Sequence, residues 1–215
     1  MARNKYILLA ALFGASVLAD QGSKYLAVAH LTRDFAEHGV QGVGQQLAHF
    51  YGDRNLDGDP RTEPDLRTPP VAVLNDFWHF KYVENPGAAW GLLGSLPENL
   101  RLPFFHLVSI AAVTFILVFY RRTKPEQRYV QVALAFVLGG AVGNYLDRVI
   151  RGYVIDFVDW HWYQDPRMHW PTFNVADAFI CVGVGMLLLE GVVTKRAPKA
   201  EVLGALGELK TDRPS

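Results

Sequence analysis

Cysteine is almost missing from this sequence: Cys181 is the one cysteine among 215 residues. A single cysteine excludes an internal disulfide and a cysteine metal cluster. The chain also has a net charge of zero, because 21 Lys and Arg residues balance 21 Asp and Glu residues. Without a general basic excess to neutralise phosphates, we expect no nucleic-acid partner. The sequence also lacks Gly-x-Ser-x-Gly, His-Glu-x-x-His, a phosphate-binding loop and a dinucleotide fingerprint, and it indicates no cofactor or metal centre.

Charged residues are absent from long stretches of the chain. Residues 102–120 and 129–146 contain no Asp, Glu, Lys or Arg, and residues 6–29 and 174–193 are apolar apart from a few ionisable side chains. About 20 apolar residues span the hydrocarbon core of a bilayer. These four ranges therefore predict four transmembrane helices in an integral membrane protein whose fold class is mainly α.

The first apolar run has a second interpretation. Tyr6 to Ala19 resembles a secretory signal whose cleavage site would be Val17-Leu18-Ala19. The helical pattern continues to Ala29 without a turn signal, which favours a spanning helix. Asp20 and Lys24 then lie four residues apart on one face of this helix, near its outer end, where a surface ion pair is the simplest role for them.

Basic residues determine the expected orientation. They cluster within residues 3–5, 121–128 and 195–199, which fall on one side of the membrane if the chain crosses it four times. The positive-inside rule puts that side in the cytoplasm. We therefore expect one membrane domain over residues 1–200 with both termini in the cytoplasm, followed by a polar cytoplasmic tail over residues 201–215.

Two long segments would share the outer face. Residues 31–70 are rich in Gly, Asp, Arg, Pro and His, lack helical periodicity and predict a long extramembrane loop. Within them, Asp53 to Asp59 matches the opening of a calcium-binding loop. Pro64 occupies the position of the bidentate Glu, which favours a solvated acidic turn. The second outer segment is predicted to be a loop over residues 147–172.

Aromatic and β-branched residues follow the first loop. Val71 to Leu74 and Phe77 to Val83 predict a hairpin or small curved sheet. The sheet leads to Asn85 and to a turn at Pro86-Gly87. The extramembrane region of residues 31–100 is therefore expected to contain a small β-sheet.

Asp156 and Asp177 are the candidate catalytic pair. Asp156 lies among bulky apolar residues in Val154 to Val158, where desolvation would raise the pKa of its carboxyl, and Asp177 begins the last span. If the carboxylates are close, they share one proton and titrate as a unit. One would act as base on a water molecule while the protonated one polarises the scissile carbonyl, as in aspartic proteases. The two lie 21 positions apart, and spacing alone does not establish their contact.

Structural roles compete with this interpretation. Asn174 and Asp177 resemble an N-cap with an acidic partner in the first turn. The glycines of residues 139–143 are typical of close helix packing, and residues 147–151 include a candidate ion-pair cluster at the membrane interface. Two other function classes stay open. One is an ion-coupled transporter lined by acidic residues, and the other is a non-catalytic scaffold that binds through the 34–70 loop.

Five motifs occur in order along the chain. They are Asp-Gln-Gly-Ser-Lys at 20–24, Asn-Pro-Gly-Ala-Ala-Trp-Gly at 85–91, Gly-Gly-Ala-Val-Gly-Asn-Tyr-Leu-Asp-Arg at 139–148, Val-Ile-Asp-Phe at 154–157 and Phe-Asn-Val-Ala-Asp at 173–177. With them the chain closely resembles the lipoprotein signal peptidases, the bacterial signal peptidase II family. The resemblance implies a four-helix aspartic endopeptidase of the bacterial inner membrane with its active site toward the outer face. Such an enzyme removes the signal peptide of a prolipoprotein just before a diacylglyceryl-modified cysteine.

The resemblance also implies site residues and partners. It assigns catalysis to Asp156 and Asp177 and ranks the nearby carboxylates Asp147 and Asp159 below them. The residues it implies for substrate binding or active-site support are Asp20, Lys24, Asn85, Gly140, Asn144, Arg148, Asn174 and Ala176. We expect a monomer whose partners are prolipoproteins and membrane lipid. The chain departs from the family pattern in the length of its 34–70 loop and in Trp90, where phenylalanine is common.

Overall fold

The computed structural model describes residues 2–56, 65–75, 77–87, 93–162 and 169–196. The helices are α1 (Ala2–Leu31), α2 (Asp34–Glu37), α3 (Val43–Gly52), α4 (Glu98–Arg122), α5 (Arg128–Ile150) and α6 (Val175–Arg196). The strands are β1 (Val71–Leu74), β2 (Trp78–Asn85) and β3 (Val154–Trp160). The predictions for Asp57 to Asp59, for Trp90 and for the 201–215 tail lie outside the described residues.

Four of these helices are long and apolar enough to cross a membrane. They are α1, α4, α5 and α6, with candidate spans of 28, 25, 23 and 19 residues. Helix α5 is central, since it packs against the other three. Large apolar side chains such as Leu107, Phe115 and Leu188 are exposed on α4 and α6, as a bilayer-facing surface requires. The predicted fold class, mainly α with four membrane helices and a small sheet, is confirmed.

Glycines allow α5 to approach its neighbours closely. A Cβ atom on Gly140 would collide with the carbonyl oxygen of Ala176 in α6 and would lie 2.7 Å from Cγ1 of Ile180. A Cβ atom on Gly143 would collide with the carboxylate of Asp20 in α1. The small residues therefore bring the backbones of three helices together at the level where the polar side chains lie, which confirms the packing role indicated by the sequence.

The three strands form one antiparallel sheet in the order β1-β2-β3. The hairpin of β1 and β2 confirms the sheet predicted for residues 71–83. Strand β3 shows that the interpretation of residues 147–172 as a loop throughout is wrong. Its run of β-branched and aromatic residues suits a pleated surface and is the signal that could have predicted it. The pairing places Val83 opposite Asp156 and Asn85 opposite Val154.

The expectation that residues 31–70 lack helices is also wrong, because α2 and α3 lie there. In α3, Val43, Leu47 and Phe50 follow the i, i+4, i+7 spacing of one helix face. Phe50 is fully buried in an apolar cluster that extends to Ile155 of the sheet. Isolated helices this short are marginal in water, so we attribute α3 to this tertiary burial rather than to local propensity.

Candidate active site

Two amide side chains hold Asp156. The carboxylate lies in the middle of β3 and is 2% exposed. Nδ2 of Asn85 donates to its Oδ2 at 2.9 Å, and Nδ2 of Asn174 donates to its Oδ1 at 2.7 Å. Asn85 is fixed in turn by the backbone N–H of Gly87, which donates to Asn85 Oδ1 at 3.0 Å. Each oxygen of Asp156 therefore has its own hydrogen-bond donor.

Asp177 lies in the first turn of α6 and belongs to a capping pair. Its backbone N–H donates to Oδ1 of Asn174 at 3.0 Å, while the N–H of Asn174 donates to Oδ2 of Asp177 at 3.3 Å. Nδ2 of Asn144 donates to the other oxygen of Asp177, Oδ1, at 2.7 Å. The cap interpretation and the site interpretation are thus both compatible with the geometry, because Asn174 caps α6 with its oxygen and contacts Asp156 with its nitrogen.

Burial and a second carboxylate change the acidity of Asp156. Desolvation, followed by the negative charge of Asp177, raises the pKa of Asp156 from 3.8 to about 7, and the amides of Asn85 and Asn174 partly oppose this rise. At neutral pH this carboxyl can therefore either hold or release a proton. An aspartic dyad needs this property, since it carries one proton between two carboxylates.

Lys24 orients the amide of Asn144. Its Nζ lies 2.9 Å from Oδ2 of Asp20 and donates to Oδ1 of Asn144 at 3.1 Å. A cation faces only the oxygen of an amide, so Asn144 must direct Nδ2 toward Asp177. Asp20 also accepts the backbone N–H of Ala176 at 3.0 Å. The expected pair of Asp20 and Lys24 exists, but both residues are fully buried within the protein rather than on its surface.

The competing carboxylates are held by cations. Asp147 lies 2.9 Å from Nζ of Lys24 and 3.2 Å from Nη1 of Arg151, which bears out part of the ion-pair cluster expected over residues 147–151. Asp159 lies 2.8 Å from Nζ of Lys81. Within the described part of the chain, Asp147 and Asp159 form ion pairs, whereas Asp156 and Asp177 form none.

The remaining residues expected at the site have supporting positions. Nη2 of Arg148 donates to the carbonyl oxygen of Gly87 at 3.0 Å, and its guanidinium lies 4.6 Å from the ring centre of Phe105. It therefore holds the turn after β2. Gly140 and Ala176 contribute through backbone approach and a backbone N–H, so neither presents a functional side chain.

A cleft of about 550 Å³ opens at the two aspartates. Its polar lining consists of Asn85, Asn144, Arg148, Asp156, Thr172 and Asp177. The apolar walls include Trp160, Trp170, Phe173, Ile180 and Val182. A separate cleft of about 600 Å³, between Arg54 and Arg101, includes neither aspartate. The cleft between Arg54 and Arg101 is mainly polar. The cleft at Asp156 and Asp177 combines two carboxylates with an apolar wall along α6.

Gln21 and Arg151 also belong to the supporting network, although the sequence did not predict either of them as a site residue. Nε2 of Gln21 lies 3.1 Å from Oδ2 of Asp20 and 3.2 Å from Oδ1 of Asp147, and so links α1 to α5. The position of Gln21 inside the motif of residues 20–24 was the available signal. No local pattern indicates Trp160 or Trp170 as cleft residues, because their proximity depends on the fold of the outer segment.

Known proteins resemble this chain over most of its length. The family model described as "Signal peptidase (SPase) II" matches residues 12–193. The lipoprotein signal peptidase of Anaeromyxobacter sp. (strain Fw109-5) is 51% identical over 197 residues, 92% of this chain and 90% of the relative. That of Geobacter sulfurreducens is 41% identical over 126 residues, 59% and 76% of the two chains. A solved bacterial membrane enzyme shares the fold with a TM-score of 0.59, at 23% identity over 89% of this chain and 91% of that one.

With the four apolar helices, these matches define a membrane-bound hydrolase of the aspartic peptidase class. The chain belongs to the signal peptidase II family. Membership decides between the function classes that the residues alone left open, in favour of a bacterial membrane peptidase and against a transporter or a scaffold.

Proposed function

We propose that this chain cleaves diacylglyceryl-modified prolipoproteins just before the lipidated cysteine, by attack of a water molecule that Asp156 and Asp177 activate. Family membership supports the coarser part of this statement, the removal of signal peptides from lipoproteins. The observation that supports the dyad is the shared residue Asn174. Its side-chain nitrogen contacts Asp156 at 2.7 Å and its backbone nitrogen contacts Asp177 at 3.3 Å.

The proposed reaction uses one proton held between the carboxyls. Burial favours placing that proton on Asp156, whose pKa is raised to about 7. The protonated carboxyl then donates to the oxygen of the scissile carbonyl. The ionised one takes a proton from water as the water oxygen attacks the carbonyl carbon. Asp177 then gives the proton it took from water to the nitrogen of the leaving amine, and Asp156 takes its proton back from a hydroxyl of the tetrahedral intermediate. The C–N bond breaks, and one proton is again held between the two carboxyls.

The cleft suits a substrate anchored in lipid. Its apolar wall continues along α6 through Ile180 to Val182, whose side chain is exposed on the membrane-facing surface. Acyl chains on a substrate cysteine can therefore stay in the hydrocarbon region while the adjacent peptide bond reaches Asp177 at the helix end. Asp156 lies on the sheet above the helix, where water has access through the mouth of the cleft.

The outer face is the proposed side of the reaction. Nζ of Lys5 donates to the carbonyl oxygens of Arg121 and Thr123 at 3.0 and 2.9 Å, so the basic start of α1 lies beside the basic end of α4. Asp177 lies at the other end of the bundle. The positive-inside rule then supports cytoplasmic termini. Fluorescence of a reporter that matures only in the cytoplasm, fused after Ser215, tests this orientation, and a dark fusion of normal abundance contradicts it.

The dyad is tested by separate Asp156→Asn and Asp177→Asn variants in the cleavage of a diacylglyceryl-modified prolipoprotein in detergent. Loss of general acid or base function should lower kcat by about 10²–10⁴-fold in each variant. Asp159→Asn is the matched control, because Asp159 lies on the same strand as Asp156 but is paired with Lys81. It should keep most of the activity. Normal turnover by either of the first two variants, with wild-type thermal stability, would falsify the dyad.

The position of cleavage and the oligomeric state need separate measurements. Mass spectrometry of the product should show an N-terminal diacylglyceryl-cysteine, and any other N-terminus contradicts the proposed bond. We also propose a monomer, because one chain brings together Asp156, Asp177 and the amide side chains that contact them. Light scattering in detergent tests this, and a stable dimer at working concentration contradicts it.

A further inference from the structure

We propose that Asp34, His38 and His49 bind a divalent transition-metal ion of the Zn²⁺ type, outside the membrane helices and apart from the peptidase cleft. These residues lie in the 34–70 loop, where the resemblance implies that this chain is longer than the family pattern. The proposal is independent of the cleavage mechanism, since none of the three lines the cleft of Asp156 and Asp177.

The three side chains converge on one point. Nε2 of His49 lies 2.8 Å from Oδ2 of Asp34, and Nδ1 of His38 lies 3.2 Å from Oδ1 of Asp34. One ligand atom from each residue lies within 4.8 Å of the others. Ligands at the usual zinc distances of about 2.0–2.2 Å are roughly 3–3.5 Å from one another. The side chains are therefore already close to the spacing that a bound ion needs.

Asp34 is a buried carboxylate without an aligned hydrogen bond. It is fully buried, and neither of its oxygens has a hydrogen-bond partner of good geometry. Nε2 of His49 also lacks one, although it lies only 2.8 Å from Oδ2 of Asp34. A buried carboxylate is costly unless it is well paired, and a cation between these groups would contact the carboxylate and both imidazoles at once.

The local fold supports a rigid site. Asp34 begins α2 and His38 follows its end, while His49 lies in the last turn of α3. The side chain of Phe35 packs edge-on against His49 with ring centres 5.9 Å apart. A bound ion would join the two short helices of the segment. His38 also has Nδ1 at 3.0 Å from the carbonyl oxygen of Asp34, a contact that an ion at this nitrogen replaces.

The donor set selects the kind of metal. Two imidazole nitrogens and one carboxylate suit zinc and its neighbours, whereas calcium and magnesium prefer oxygen alone. Asp53 is available as a further ligand, since its Oδ2 lies 3.8 Å from Nε2 of His49.

A second histidine cluster provides an internal comparison. His79, Asp159 and His161 also place ligand atoms within 4.8 Å of one another. There, however, Nζ of Lys81 already lies 2.8 Å from Oδ1 of Asp159. A lysine that neutralises the carboxylate leaves less reason for an ion. We therefore assign the metal to Asp34 and not to this cluster.

The test measures zinc binding rather than peptidase activity. Full-length protein in detergent is stripped with a chelator and titrated with Zn²⁺ in competition with a chromogenic chelator. We expect one ion per chain. His49→Gln and His38→Gln should each lower the affinity by more than the roughly 10–100-fold typical of losing an outer-shell partner. Co²⁺ in place of Zn²⁺ should give a visible absorption band in the wild type that both variants lose.

Two further variants act as controls. His30→Gln changes an exposed histidine at the end of α1, and His161→Gln changes the second cluster; both should bind zinc as the wild type does. Unfolding temperatures show which variants fold, and the exposed edge of His38 makes His38→Gln the safer of the two ligand variants. Zn²⁺ should raise the unfolding temperature of the wild type but not of His38→Gln. Absence of stoichiometric zinc in the wild type, or its loss in His161→Gln alone, overturns the proposal.

Discussion

Asn174 donates its side-chain amide to Oδ1 of Asp156 across 2.7 Å and thereby joins the start of α6 to the middle of β3. The oxygen of the same amide accepts the backbone N–H of Asp177 at 3.0 Å. The geometry of a helix N-cap thus determines where Asp156 lies relative to Asp177. One residue provides both a structural and an electrostatic contact, which can be separated by substitution.

Asn174→Ser is expected to keep the cap and lose the donor to Asp156. Serine caps helices about as well as asparagine. The unfolding temperature should therefore fall less than in Asn174→Ala, although both variants also lose the Nδ2 bonds to Asn144 and to the carbonyl oxygen of Ile155. The amide of Asn174 lowers the pKa of Asp156. Its loss should therefore raise that pKa and move the alkaline limb of the pH profile of kcat/KM to higher pH. Asn174→Ala should show the same shift together with a lower unfolding temperature. An unmoved limb in both variants means that Asn174 acts through structure alone.

Asp156→Asn is expected to become more stable than the wild type as pH rises. The folded pKa of Asp156 is about 7, above its ordinary value of 3.8. Between these values the unfolded chain releases the proton and the folded chain retains it, so wild-type stability falls with rising pH and levels off above about 7. Asparagine does not ionise. The variant should therefore gain up to about 4 kcal/mol relative to the wild type between pH 4 and pH 8. Thermal unfolding of the variant and the wild type at a series of pH values tests this. A difference in their stabilities that does not change with pH contradicts it.

Lys24→Met is expected to destabilise the protein strongly. Nζ of Lys24 lies 2.9 Å from carboxylate oxygens of both Asp20 and Asp147, and all three side chains are fully buried. Removing one member of a buried ion-pair network costs about 3–5 kcal/mol, because the partner charges stay unpaired. Adding Asp147→Asn should restore part of the loss. Lys81→Met is the matched control on a more exposed pair and should cost less. Equal losses of unfolding temperature in the two single variants would contradict the network.

Gly140→Ala is expected to separate α5 from α6. Its new methyl group would meet the carbonyl oxygen of Ala176 and lie 2.7 Å from Cγ1 of Ile180. Overpacking of this kind costs about 1–3 kcal/mol. It should also lower kcat, since Asn144 and Asp177 lie on the two helices that move apart. Gly185→Ala is the control in α6, where the new methyl group would meet nothing within 4 Å beyond the adjacent residues and backbone of its own helix. That change should be neutral or slightly stabilising. Unfolding temperature and kcat of both variants are the measurements.

The four membrane helices could be predicted because their signal is local. Long runs without charge, such as residues 102–120 and 129–146, can be recognised without knowledge of any neighbour. The β1-β2 hairpin has a similar signal in aromatic and β-branched residues. Helix α3 could not be predicted in this way. Its apolar spacing is short, and Phe50 stabilises it only when the sheet and α1 provide a place to bury that side chain.

Polarity and its spacing along the chain were sufficient to predict a membrane protein with acidic and amide side chains near the ends of its helices. They were also sufficient to nominate Asp156 and Asp177 as candidates. Tertiary structure alone places these residues around Asn174, and it alone brings Asp34 next to His49. The physical reason is that hydrogen bonds and charge effects depend on distances of a few ångström. Asn174 lies 18 positions from Asp156, and His49 lies 15 positions from Asp34. These pairs come within such distances only when helices and strands pack against one another.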